Sequence, residues 1–184
     1  MTHILRADLE LVWQTLAARG DLAINLYTDN AALRETLAEQ VRAAAPYLIE
    51  LNAAAYASFA ELLSDLLGGL LAHPDKPENC RLPEDALTTT DPDDLRRYTS
   101  RLLSAYSRSE CRFCVLLTRF DAAPSYWDDE AFSWMRELID LCRIPACVVI
   151  TERPLSDVTD KPVGSSPFHN VFAIRAAGDE GDHE

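Results

Sequence analysis

A chain of 184 residues is long enough for one domain with a real core, and 48% hydrophobic against 26% charged residues excludes a disordered polymer. The formal net charge of −13 repels phosphate backbones and anionic lipids, so composition sets nucleic acid and membrane aside as default partners. No apolar run reaches the roughly 20 residues of a bilayer span. The start Met1-Thr-His-Ile-Leu lacks the charged and apolar parts of a secretory signal, which predicts a cytoplasmic protein.

Ile4, Leu5, Leu9, Val12, Trp13 and Leu16 recur at helical spacing and predict a helix over 4–18, stopped by Gly20. A short strand over 22–27 follows. Thr28-Asp29-Asn30 reads as a turn whose Asp29 or Asn30 caps a helix over 31–45. Pro46 ends that helix, and 47–52 reads as the second strand. Ser58 caps a helix with Phe59, Leu62, Leu63, Leu66, Leu67 and Leu70 on its apolar side. Prolines 74, 77, 83 and 92 mark a long loop over 73–93. Asp91-Pro-Asp-Asp then opens a helix to about 107, since proline suits a first helical turn and acids suit its positive end.

The third strand, over 113–120, is apolar on both faces, as is the fourth, over 146–151; central strands of a parallel sheet have this composition. Between them Asp128-Asp129-Glu130 begins a helix to 142. A loop with Pro154, Pro162, Gly164 and Pro167 leads to a last strand over 170–175. The pattern predicts one domain over 1–177 with an acidic disordered tail over 178–184. Strands alternating with helices predict an α/β fold, a three-layer α/β/α sandwich on a mostly parallel five-stranded sheet.

In this layout the turn after the first strand is the place for a phosphate cradle. A working cradle needs glycines so that backbone N–H groups can wrap phosphates, a lysine for the terminal phosphates and a hydroxyl for magnesium. Thr28-Asp-Asn-Ala-Ala-Leu-Arg34-Glu35-Thr36 has no glycine; Leu33 replaces the second one, Arg34 stands for the lysine and Glu35 for the hydroxyl. The third strand ends in Thr118-Arg119-Phe120-Asp121, where nucleotide hydrolysis needs adjacent acids for metal and water.

The order of these parts over about 4–176 resembles a P-loop NTPase core of the AAA+ and STAND type, in degenerate form. The third strand resembles a Walker B segment that keeps only its last acid, Asp121. Ile150-Thr-Glu-Arg-Pro-Leu155 resembles the family's sensor strand, with Thr151 at the sensor position and Arg153 beyond it. The resemblance implies strand order 5-1-4-3-2, no helical lid, and a vestigial nucleotide site at Thr28, Asp29, Asn30, Arg34, Asp121, Thr151 and Arg153. The function expected from it is a catalytically inactive, ATPase-like interaction or regulatory subunit, without catalytic residues, metal or cofactor. Its expected partner is another protein: an active ATPase, an effector of a multi-component bacterial-type system, or a second copy. The alternative is a divergent NTPase that binds ATP and Mg, with Arg34 on phosphate and Asp121 and Glu152 on the metal.

Other constellations carry bland readings. Cys111-Arg-Phe-Cys114 with Cys142 and Cys147 has sulfurs enough for zinc, but Cys114 and Cys147 fall inside strands, while zinc knuckles sit on turns, so reduced buried thiols are expected. Asp128, Asp129 and Glu130 read as helix-start acids rather than metal ligands. His3, His73, His169 and His183 are scattered, with no dyad. Tyr126-Trp127 is either a buried loop anchor or a partner-binding hot spot.

Overall fold

The computed structural model describes residues 3–4, 6–18, 22–78, 81–83, 86, 88–109, 111–122, 127–140, 144–158 and 168–177. Among the described residues the strands and α-helices follow in the order β1 His3–Ile4, α1 Arg6–Ala17, β2 Leu22–Tyr27, α2 Ala31–Ala44, β3 Leu48–Asn52, α3 Phe59–Ala72, α4 Pro92–Ser107, β4 Cys114–Thr118, α5 Asp129–Asp140, β5 Ala146–Thr151, α6 Leu155–Val158 and β6 Ala173–Ala177. The sheet order is β1-β6-β2-β5-β4-β3, and every recorded pairing is parallel. The five strands expected from sequence thus take the expected order 5-1-4-3-2. A sixth, His3–Ile4, is added at the edge beside β6.

The central strands alternate between two cores, as side chains on successive strand residues must. Cys114 and Leu116 of β4, with Val148 and Ile150 of β5, meet Leu16 of α1 and Leu37 and Val41 of α2. Val115, Leu117 and Val149 face the other way, into a core with Leu62 and Leu66 of α3, Leu102 of α4 and Met135 of α5. Two helical layers therefore enclose the sheet, and both faces of β4 and β5 are dry. Gly69 lets α3 lie close on β3: a Cβ there would stand 2.8 Å from the Ile49 Cγ2 methyl.

Caps explain the helix starts. Asn30 Oδ1 accepts from the Ala32 and Leu33 N–H groups, Ser58 Oγ from Glu61 N–H, and Asp91 Oδ1 from Asp93 and Asp94 N–H. Asp128 Oδ1 accepts from Ala131 N–H at 2.9 Å, which bears out its helix-start reading.

Three boundaries differ from the sequence reading. Ile4 shows helical spacing, yet it pairs with Ala177 as an edge strand, and the helix begins at Arg6. The last strand starts at Ala173, three residues later than expected, because Phe168–Val171 turns as a 3₁₀ helix. α6 interrupts what reads as plain loop. Gly20, Cys80, Tyr126, Cys142, the segment 159–167 and the tail 178–184 lie outside the described residues.

Candidate functional site

In an open parallel sheet the ligand crevice lies at the carboxyl ends of the strands, where the connections diverge. Here that point is between β2 and β5: β2 leads through α2 to one edge strand, while β5 leads to β6 on the opposite side. A cleft of about 350 Å³ opens there, lined by Arg34 and Glu35 of α2, Thr118 at the end of β4, Arg119 and Asp121 after it, and Glu152 after β5. Two guanidiniums and three carboxylates thus share its wall.

The strand-to-helix turn is short. Only Thr28, Asp29 and Asn30 separate Tyr27 from Ala31, whereas a phosphate cradle spans about six residues from its first glycine to its second. Leu33 and Arg34, aligned with the end of such a cradle, already lie in the first turn of α2. The N–H groups that a phosphate would take at a helix start point at Asn30 Oδ1, 3.0 Å from Ala32 N and 3.1 Å from Leu33 N. Thr28 is buried; its N–H donates to the Thr151 carbonyl, and its hydroxyl accepts from Asn30 N–H. Arg34 folds back on its own turn, Nη1 donating to the Thr28 carbonyl at 2.6 Å. Asp29 is exposed on the turn. Glu35 leans along α2 to Arg42 at 2.8 Å, and Arg42 reaches on to Glu50 of β3 at 2.8 Å. That hydrogen bond holds the Glu50 carboxyl below its ordinary pKa.

Asp121 is tied to backbone. Its Oδ2 accepts from Glu152 N–H at 2.7 Å and its Oδ1 from Arg153 N–H at 3.4 Å, which straps the turn after β4 to the end of β5. Arg119, one position past β4, has φ +53°, among the described residues the one side-chain-bearing residue in the left-handed region. An L residue there is strained, and such strain gathers at functional sites.

Thr151 is fully buried, and its hydroxyl donates to the Arg153 carbonyl at 2.6 Å. It also accepts from Asn25 Nδ2 at 2.8 Å. Asn25, fully buried in mid-β2, donates further to the Val149 carbonyl and accepts from Leu155 N–H at 2.9 Å. It thereby joins β2, β5 and the start of α6. Asn25 was not among the residues singled out from sequence. Its signal was available, since it is the one polar residue in Leu-Ala-Ile-Asn-Leu-Tyr and a dry strand holds an amide only where hydrogen bonds await it.

The remaining candidates are dispersed. Trp127 lies in the core against Phe59 and Phe120, at 5.5 and 4.6 Å between ring centroids, and is 6% exposed. Burial corrects the partner-binding reading of this residue in favour of a loop anchor; Tyr126 lies outside the described residues. Cys114 and Cys147 are buried in neighbouring strands, where desolvation pushes the Cys114 thiol up to about 12 and raises that of Cys147 as well. Among the described residues no group of three or more His, Cys, Asp and Glu is placed to hold a metal ion. His73 is buried in a loop role, its Nδ1 accepting from Asp75 N–H and its Nε2 facing the Arg112 carbonyl.

No family model matches the sequence, and no curated protein matches it. Solved structures share its fold. The Aeropyrum pernix ORC1 protein in complex with DNA superposes with a TM-score of 0.56 at 14% identity, over 95% of this chain and 46% of that one. A chain of Drosophila ORC bound to AT-rich DNA and Cdc6 superposes with a TM-score of 0.52 at 11% identity, over 93% of this chain and 52% of that one. The chain therefore has a P-loop-like fold of the AAA+ type, and it spans about half the length of these structures. Both are complexes with DNA, which corrects the inference drawn from net charge. An average of −13 does not exclude nucleic acid as a partner of this fold.

Proposed function

We propose that the chain is an AAA+-like domain that has given up nucleotide hydrolysis and works by contact, as an interaction or regulatory module of a larger assembly. One observation carries this reading: the groups standing where nucleotide chemistry belongs are engaged with the chain itself. Asn30 takes the helix-start N–H groups, Arg34 takes the Thr28 carbonyl, and Asp121 takes the Glu152 N–H. A nucleotide would have to displace these contacts before it could use the same groups.

Calorimetry and thermal melts with ATP, ADP and GTP in magnesium test it. A nucleotide present at 100 times its Kd would stabilise the fold by about 2.7 kcal/mol, or several degrees of Tm for a chain this size. No heat and no Tm rise at millimolar nucleotide are expected. A clear rise abolished by Arg34→Ala overturns the proposal in favour of a divergent nucleotide binder.

The DNA in both similar structures favours a second reading alongside the first: the assembly that this module serves is one that engages nucleic acid.

A further inference from the structure

A segregation of charge lies away from the cleft, on α4. The chain carries 30 Asp and Glu against 17 Lys and Arg, yet residues 95–109 hold four arginines and no acid. At about 100° and 1.5 Å per helical residue, Arg97, Arg101, Ser104 and Arg108 fall within roughly 60° of arc. Arg101 stands about 6 Å beyond Arg97, and Arg108 about 10 Å beyond Arg101. Arg108 keeps the helical twist as the C-cap, with φ −92° and ψ −5°.

The opposite face of α4 is fixed in the core through Leu95, Leu102, Leu103 and Tyr106, so the arginine face points outward. Arg97, Arg101 and Arg108 are all exposed. Arg97 is held by Asp94 at 2.7 Å, while among the described residues Arg101 and Arg108 enter no ion pair. In a chain so rich in acid, two exposed guanidiniums left without a carboxylate are a feature to be explained.

The composition of the stripe selects its occupant. The buried centre of a protein interface is more apolar than the surface around it and is enriched in aromatic residues, Met and Arg. This face offers arginine and serine, and among the described residues the large apolar side chain that stands exposed is Leu11, on α1. Arginine and serine side chains are the usual donors to phosphate oxygens. We infer that the Arg97, Arg101 and Arg108 face of α4 docks the phosphodiester backbone of a nucleic acid, without reading its sequence. The inference rests on the second reading above and supplies its contact surface. The acidic remainder of the chain opposes the contact, so binding is weak, and the counterions released at the phosphate contacts make it salt-dependent.

The test is fluorescence anisotropy of the full chain with a labelled 30-base-pair duplex of arbitrary sequence, between 20 and 200 mM NaCl. Three phosphate contacts give a log–log slope of about −2.7, so a fourfold rise in salt weakens binding about 40-fold. Arg101→Glu with Arg108→Glu should weaken binding at 50 mM salt at least tenfold and reduce the slope by about 2, with Tm lowered by no more than a few degrees, since both side chains are exposed and the new charge at Arg108 opposes the dipole only at the C-cap. Arg101→Gln with Arg108→Gln should fall between. Binding that survives both double variants with its slope intact overturns the α4 surface and leaves the nucleic-acid reading standing. No binding at 20 mM salt overturns both. Displacement of the duplex by a poly-glutamate peptide of equal charge overturns the choice of phosphodiester in favour of an acidic protein.

Discussion

Asn25 offers a direct measure of how far the crevice has become framework. In Asn25→Leu the branched heavy-atom skeleton is kept and no cavity opens to confuse the reading. What goes is the donor to Thr151 Oγ1 at 2.8 Å, the donor to the Val149 carbonyl at 3.2 Å, and the acceptor of Leu155 N–H at 2.9 Å. Each such bond contributes about 1 kcal/mol net, and a buried N–H left without an acceptor costs about 1–3 kcal/mol. The Val149 carbonyl and the Thr151 hydroxyl retain other partners, so the sum is dominated by the Leu155 N–H and comes to about 3 kcal/mol. At 2–4 °C per kcal/mol for a chain of this size, Tm should fall by about 6–12 °C. Urea unfolding by circular dichroism reads the same quantity as a shift in midpoint at constant slope. A companion Thr151→Val should cost about 1–2 kcal/mol through the lost donor to the Arg153 carbonyl. The double variant should fall short of the sum of the singles by about 1 kcal/mol, because the two share a hydrogen bond. A loss below 1 kcal/mol for Asn25→Leu, or strict additivity, would refute the claim that this network holds β2, β5 and α6 together.

Three further outcomes follow from the same geometry. Asp121→Ala should lower stability by about 1–3 kcal/mol in chemical denaturation, because the Glu152 and Arg153 N–H groups lose a charged acceptor, and should leave nucleotide binding where it was. With Cys80→Ser and Cys142→Ser in place, a disulfide reagent at pH 8 should find one fast thiol in the native protein, Cys111, and two more only after denaturation, since burial holds Cys114 and Cys147 protonated. The lowered pKa of Glu50 contributes stability that is present above the ordinary carboxylate value of 4.5 and is lost as pH falls through the lowered one. Glu50→Gln should therefore flatten the stability profile below about pH 4.5 by less than about 1 kcal/mol, the ceiling for a partly exposed pair, and comparison of acid unfolding of the two proteins reads it.

The architecture was legible because two strands advertise themselves. Val115-Leu-Leu and Val148-Val-Ile are apolar at consecutive positions and rich in β-branched residues, as a strand covered on both faces is, and the alternation of elements then sets a parallel order. Caps were legible for the same local reason: Asn30, Ser58 and Asp91 bond within three residues of themselves. What lay beyond local pattern was not legible. Ile4 fits a helical stripe and is claimed instead by Ala177, more than 170 residues away in the chain. Asp121 read as the last acid of a Walker B-like segment, and the two backbone N–H groups it accepts from lie some thirty residues on, a contact that no spacing rule contains.

The sharpest lesson concerns charge. A net −13 describes the field far from the molecule, at distances beyond a Debye length of about 8–10 Å, where solvent and salt have already averaged it. A binding contact is made inside that length, by the few charges on one face. On α4 the acids Asp93 and Asp94 stop at the first turn, where they complement the helix dipole, and from Leu95 onward every charge is an arginine. The dipole thus drives a segregation that the average conceals: acids collect where the helix end is positive, and the rest of the solvent face is left to cations. An acidic protein built on capped helices can in this way present a phosphate-binding surface; its total charge lowers the affinity, and the number of phosphates contacted sets how steeply that binding falls with salt.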